Sequence, residues 1–278
     1  MMYRKAAITL YQGRKLAQGY PDLETKAAAT FQAIQTEDTR TEEIMRCIDR
    51  AIDLPSHTRS VAVIGCGPRP KAVKELRALG FNAVGIEPFE GFAVAARAYM
   101  GDDTAIKIGN AEQLPLESES QAAVLSVSVM EHVDSPTKSL LEMYRVLTPG
   151  GVAYIQTTNK RRFSLTGNTG EYDVPFFNLL PDTVKEAYVH EQLHYRPELS
   201  KYTTRPAVHW FSYADLCQRG REAGFHRFYS KFDLLQRGDP SVNSHLRRLL
   251  VDRMRYSPWL RSLALLQFGD TIFMLKRG

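Results

Sequence analysis

Three groups of residues in this sequence have the types and spacing to do chemistry. The first is the run Val61-Ala-Val-Ile-Gly65-Cys66-Gly67-Pro-Arg69-Pro70, an apolar stretch that ends in two closely spaced glycines. Such a turn bends the backbone sharply and leaves room for a ligand to lie against it, as a nucleotide-type cofactor does. Arg69 stands where a dinucleotide fingerprint has its third glycine, so the turn alone is a weak signal. The second is Glu87, the acid that closes Val84-Gly-Ile-Glu, at the roughly 20-residue distance from the turn at which a carboxylate accepts hydrogen bonds from ribose hydroxyls. The third comprises Gly109-Asn110-Ala111-Glu112 and Ser126-Val-Ser128-Val-Met-Glu131-His132. There His132 has the chemistry of a general base for a deprotonating nucleophile, with Glu131 beside it.

These groups fall at the ends of regular elements. The pattern predicts strand 61–64, helix 70–79, strand 82–87, helix 89–100, strand 104–108, strand 123–129, helix 136–147 and strand 151–157. Strands written as nearly continuous apolar runs and alternating with helices imply a doubly wound, mostly parallel α/β sheet covered on both faces. Ligands bind such sheets beyond the carboxyl ends of their strands, where each group lies. Before this core, residues 1–57 read as a helical N-terminal cap, and 58–278 as the sheet domain. Residues 159–206 are polar and rich in aromatics (Phe163, Tyr172, Phe176, Phe177, Tyr188, Tyr195, Tyr202), the composition of an ordered lid. A helix over 212–223, a strand over 225–232, a basic helical piece over 241–266 and a last strand over 269–276 complete the chain.

Composition narrows the class. With 278 residues, 44% hydrophobic and 24% charged, the chain can bury a full core. The net charge of +5 permits an anionic partner but is a mild bias, 36 basic against 31 acidic residues. Cys47, Cys66 and Cys217 form no Cys-x-x-Cys pair, which argues against a disulfide framework or a cysteine zinc site and for a cytoplasmic protein. No stretch has the length and apolarity of a signal-peptide core or a membrane span.

The order of motifs, from Gly65-Cys66-Gly67 and Glu87 through Asn110-Ala111-Glu112 and Ser128 to His132, then Leu140 to Leu147 and Pro149-Gly150-Gly151, resembles the class I S-adenosylmethionine-dependent methyltransferases. The resemblance covers about residues 58–157 and is nearest the ubiquinone-biosynthesis O-methyltransferases and other small-molecule branches. It implies a Rossmann-like seven-stranded sheet whose final strand, Gly269 to Lys276, is the reversed edge strand. It also implies S-adenosylmethionine as cofactor. Gly65, Cys66 and Gly67 would line its methionine end, Glu87 would bind its ribose, and Asn110, Ala111 and Glu112 would flank its adenine. Ser128 would lie near the sulfonium. The family's metal-linked O-methyltransferases carry Glu-x-x-Glu-His; here Ser128 replaces the first acid, so no metal is expected. Val63 stands where the family places an acid, and Arg69 where it places a third glycine or small residue. These departures motivate an alternative, a degenerate fold acting as a non-catalytic binding module.

The acceptor expected is a small organic molecule, methylated most naturally on oxygen because of the Glu131-His132 element. The Asn/Asp-Pro-Pro-aromatic run of base N-methyltransferases is absent after the fourth strand, and Cys66, the cysteine nearest the cofactor, lies in the turn, so nucleic acid is not favoured. A remote alternative comes from His190-Glu191-Gln-Leu-His194, which matches the His-Glu-x-x-His pattern of zinc metalloproteases. Arg196-Pro197 would end such a helix at once. The segment 244–261, with Arg247, Arg248, Arg253, Arg255 and Arg261 among Leu246, Leu249, Leu250, Val251, Met254 and Trp259, has the composition of an interfacial helix. As a plain surface helix it would instead pack its apolar stripe on the core; as an interfacial one it permits peripheral membrane contact and a lipid-linked acceptor.

Overall fold

A computed structural model describes residues 41–52, 59–163, 172, 174–193 and 205–278. Most of the predicted N-terminal cap, His194 and part of the predicted lid fall outside that range. The chain divides into two compact units, one holding the described part of 164–208 and the other the remaining described residues.

The larger unit is built on seven strands in the order β3-β2-β1-β4-β5-β7-β6. They are β1 (Ser60–Ile64), β2 (Asn82–Glu87), β3 (Ile106–Ile108), β4 (Gln121–Val127), β5 (Leu147–Gln156), β6 (Arg227–Ser230) and β7 (Thr271–Leu275). β1 pairs in parallel with both β2 and β4, and β4 in parallel with β5. β7 runs antiparallel to β5 and to β6, so the reversed strand belongs to the edge pair, inserted between β5 and β6. The unbroken apolar runs follow from burial on both faces. Ala62, Ile64, Val124, Ala153 and Ile155 enter one core cluster, while their neighbours Val61, Val63, Ala123, Leu125 and Tyr154 enter another on the opposite face.

Helices α1 (Thr41–Ala51), α2 (Lys71–Ala78), α3 (Glu90–Met100) and α4 (Pro136–Val146) surround this sheet. α1, which its helical period groups with the N-terminal cap, packs Met45, Cys47 and Ile48 into the core cluster of Val61 and Val63. Helical periodicity identifies a helix but not the surface that receives it. The smaller unit contains α5 (Asp182–Glu191), where Tyr172, Phe177 and Val189 are buried and the Tyr172 hydroxyl accepts the Ala207 N–H at 3.0 Å.

Several boundaries differ from expectation, β5 among them, which starts at Leu147 and not at 151, and three of the differences have clear local reasons. β3 begins at Ile106 because Asp102 caps a 3-10 turn over Asp103–Ala105. After α6 (Tyr213–Glu222), β6 stops at Ser230, where a capping box with Asp233 starts the short helix α7 (Lys231–Leu234). The single basic helix expected over 241–266 is two, α8 (His245–Tyr256) and α9 (Pro258–Phe268), because Pro258 takes a helix N-terminus under the Ser257 cap.

Candidate active site

The carboxyl ends of β1, β2 and β4 lie side by side, and each carries one of the sequence-predicted groups. Gly65 and Gly67 both have positive φ, +65° and +67°. A Cβ on Gly65 would come within 2.5 Å of Val129 Cγ2, so this glycine lets the β1 turn close on the β4 turn. A Cβ on Gly67 would meet nothing within 4 Å, so this part of the turn faces open space. The backbone donors of the turn are committed inside the protein: Gly65 and Cys66 both donate to the Ile86 carbonyl, at 2.8 and 3.2 Å, and Gly67 donates to Glu87 Oε2 at 3.0 Å. What the turn offers a ligand is room.

Glu87 is only 5% exposed, and its other oxygen accepts the Phe89 N–H at 3.1 Å. Burial raises its pKa above the usual carboxylate value, opposed by these two backbone hydrogen bonds. Each carboxylate oxygen keeps a further lone pair for a hydroxyl donor. Gly85 makes room for Cys66, since a Cβ there would sit 2.7 Å from Cys66 Sγ, and burial pushes the Cys66 thiol far up. A thiol so held is neutral packing material and not a nucleophile.

Beyond β3, Asn110 Oδ1 accepts the N–H groups of Glu112 and Gln113 at 3.0 and 2.9 Å, which folds the loop back on itself. Ala111 is buried in the core, and Glu112 Oε1 accepts the Ser135 N–H at 2.6 Å, tying this loop to the start of α4. Asn110 and Glu112 therefore shape the loop with their side chains. Arg145 of α4 fixes its far end, reaching the Leu114 and Leu116 carbonyls.

At the end of β4, Ser128 is exposed and adopts φ +53°, a left-handed conformation costing about 1 kcal/mol in a non-glycine residue. Its N–H donates to the Gln156 carbonyl at 2.9 Å, so the strained turn stays joined to β5. Glu131 is 2% exposed and accepts the Thr157 hydroxyl at 2.7 Å; burial raises its pKa to about 7. His132 follows in a turn closed by its N–H to the Val129 carbonyl at 2.9 Å, and both of its ring nitrogens are buried. His209 pins this loop: its ring Nε2 lies 2.9 Å from the Val133 carbonyl and its N–H reaches the Glu131 carbonyl.

Sequence reasoning missed Thr157, because a threonine at a strand end has no local signature of a partner that lies on another strand. A buried carboxylate at position 131 would have been the signal, since such a group needs a donor. Val63 lies in an apolar cluster with Met45, Ile48 and Tyr154, which accounts for the lack of an acid there. Of the zinc pattern, His190 and Glu191 close α5 and Gln192 is already non-helical, while His194 lies outside the described residues. Among the described residues, no three His, Cys, Asp or Glu side chains cluster to hold a metal.

Comparison with known proteins agrees with this geometry. The family model of a methyltransferase domain matches residues 62–155. An uncharacterized methyltransferase of Mycobacterium tuberculosis is 32% identical over 124 residues, 44% of this chain and 50% of that protein. A ubiquinone biosynthesis O-methyltransferase of Roseobacter denitrificans is 31% identical over 129 residues, 44% of this chain and 51% of that protein. A tRNA U34 carboxymethyltransferase of Methylococcus capsulatus is 28% identical over 195 residues, 67% of this chain and 57% of that protein. The chain spans about half the length of the first two and somewhat more of the third. Through the span from β1 to β5, the chain carries a methyltransferase domain of the class I S-adenosylmethionine-dependent family.

Proposed function

We propose that this protein transfers a methyl group from S-adenosylmethionine to a small organic acceptor, with oxygen as the receiving atom. The observation that carries the reading is the pairing of an open glycine turn at β1 with a buried, backbone-held carboxylate at β2, beside an exposed strained turn at β4. The residues present fit the cofactor. The space over Gly67 suits the methionine end, and Glu87 has lone pairs for the ribose hydroxyls. Ala111 and the loop that Asn110 and Glu112 fold would flank the adenine. When bound, the cofactor supplies an electrophilic methyl on a sulfonium. Ser128 would border that position without adding positive charge, and Glu131, at a pKa of about 7, brings a group that is partly neutral near physiological pH. His132 would accept the proton of the acceptor hydroxyl as attack proceeds, a role that requires its buried ring to turn a nitrogen toward the acceptor.

A second reading has one observation in its favour, the match across 67% of this chain to the tRNA U34 carboxymethyltransferase. Under it the acceptor is a tRNA uridine. Both readings are tested by supplying methyl-labelled S-adenosylmethionine to a cell extract and separating label in small organic molecules from label in RNA. The first predicts label in the small-molecule fraction, and its loss with His132→Ala while that variant still binds cofactor. Label confined to RNA would replace the first reading with the second.

A further inference from the structure

The most unusual surface of the larger unit is the helical pair α8–α9. α9 reads Pro-Trp-Leu-Arg-Ser-Leu-Ala-Leu-Leu-Gln-Phe, yet none of its residues is buried. Trp259 is 71% exposed, and Leu263 and Leu266, one and two turns on, are exposed with it. α8 buries Val251 and Met254 and leaves Leu246, Leu249 and Leu250 to solvent; Tyr256 at its end is 84% exposed. An apolar stripe on a surface helix belongs against something, and a run of exposed leucines with Trp and Tyr marks a contact surface.

Charge identifies the contact. Residues 245–268 hold five arginines and a single acid, Asp252, so most of the chain's net positive charge lies in this short stretch. Exposed leucines, an interfacial Trp and Tyr, and arginines together match a bilayer surface with anionic headgroups. The rings and leucines enter the boundary region while the exposed Arg247, Arg248 and Arg253 meet phosphate. Nucleic acid would engage the arginines but leave the leucines wet. No helix among the described residues is long and apolar enough to cross a membrane. We propose that α8–α9 is a docking surface for an anionic lipid bilayer.

The placement of α9 gives that docking a consequence. Its last turn is hydrogen-bonded to the segment leaving β5: Asn159 donates to the Leu266 carbonyl at 3.0 Å, and Gln267 bonds the Phe163 backbone in both directions at 3.0 Å. The Asp270 carbonyl just beyond accepts the N–H of Thr157, the residue that holds Glu131. A bilayer on α9 would therefore be tied to the strand ends beside Ser128 and Glu131, as suits an acceptor that resides in lipid. The docking surface stands apart from the methyl-transfer reading; only the nature of the acceptor rests on it.

The test is flotation of the full chain with vesicles of phosphatidylcholine alone or mixed with phosphatidylglycerol, at low and high salt, with cofactor binding measured on the same samples. Binding to the anionic vesicles, weakened by salt, is expected. The exposed pair Trp259→Ser/Leu263→Ser and the pair Arg247→Ser/Arg253→Ser should each lower it by roughly tenfold with cofactor affinity unchanged. The chain has two tryptophans, Trp259 and the buried Trp210, so vesicles should shift emission to the blue in the wild type. Trp259→Phe should lose that shift and still bind. Absence of vesicle binding, binding indifferent to both double variants, a dimer abolished by Trp259→Ser/Leu263→Ser without vesicle binding, or capture of RNA alone would each overturn the proposal. Loss of cofactor binding with vesicle binding intact would strike the methyl-transfer reading instead.

Discussion

Two carboxylates are buried at the carboxyl edge of this sheet, and the protein holds them in different ways. Glu87, on the β2 side, has a backbone N–H on each oxygen, from Gly67 and Phe89. Glu131, on the β4 side, accepts the side-chain hydroxyl of Thr157 and is helped by its own backbone N–H. Burial raises both, but only for Glu131 does it carry the pKa to about 7. Backbone donors fixed by a turn on both carboxylate oxygens cannot rotate away, whereas a side-chain hydroxyl can. Under the proposed function the β2 side is a backbone-held carboxylate for the ribose hydroxyls, and the β4 side is a titrating group next to the reacting atoms.

The sharpest way to break this contrast is Glu87→Ala, which removes the acceptor of two backbone N–H groups and the ribose contact together. Cofactor affinity should fall roughly hundredfold, about 3 kcal/mol, by calorimetric titration. Next in size is Glu131→Gln. A carboxyl whose folded pKa is about 7 against the usual 4.5 holds its proton more tightly in the folded state. Its stabilising contribution is full below 4.5 and is lost as pH rises through 7. The Gln variant lacks that loss and should exceed the wild type at pH 8 by on the order of 3 kcal/mol, with the two curves converging toward pH 4.5 in denaturant titrations.

Smaller effects separate the two glycines and the hydroxyl. Gly65→Ala meets both a positive φ and Val129, so its cost should be about 2–3 kcal/mol, whereas Gly67→Ala meets only the positive φ and should cost about 1 kcal/mol. Equal thermal shifts for the two would remove the steric role given to Gly65. Thr157→Val withdraws the hydroxyl from Glu131 and should cost about 1 kcal/mol at pH 8, with the pH midpoint of stability moved upward. An unchanged midpoint would mean that the Thr157 hydroxyl plays no part in setting the Glu131 pKa.

The β2 side was largely legible in the sequence and the β4 side only partly. A glycine turn after an apolar run and an acid about 20 residues later are local signals, set by strand geometry that recurs wherever a parallel sheet seats a nucleoside. The continuous apolar strands could be read because both faces of the sheet are covered. By contrast, the tie from Thr157 to Glu131 joins two strands, and the packing of α1 on the sheet depends on where the chain returns in space. Neither leaves a periodic trace. Pro258 shows an intermediate case: the sequence signals a break, but its position after Ser257 makes that break the capped start of a new helix.

The central claim, that the turn at Gly65–Gly67 and the carboxylate of Glu87 form a seat for S-adenosylmethionine, is tested most directly by calorimetric titration of the wild-type chain with that cofactor and with its demethylated product. The account predicts one site that takes both ligands. Heats indistinguishable from dilution up to millimolar concentrations of each would contradict it.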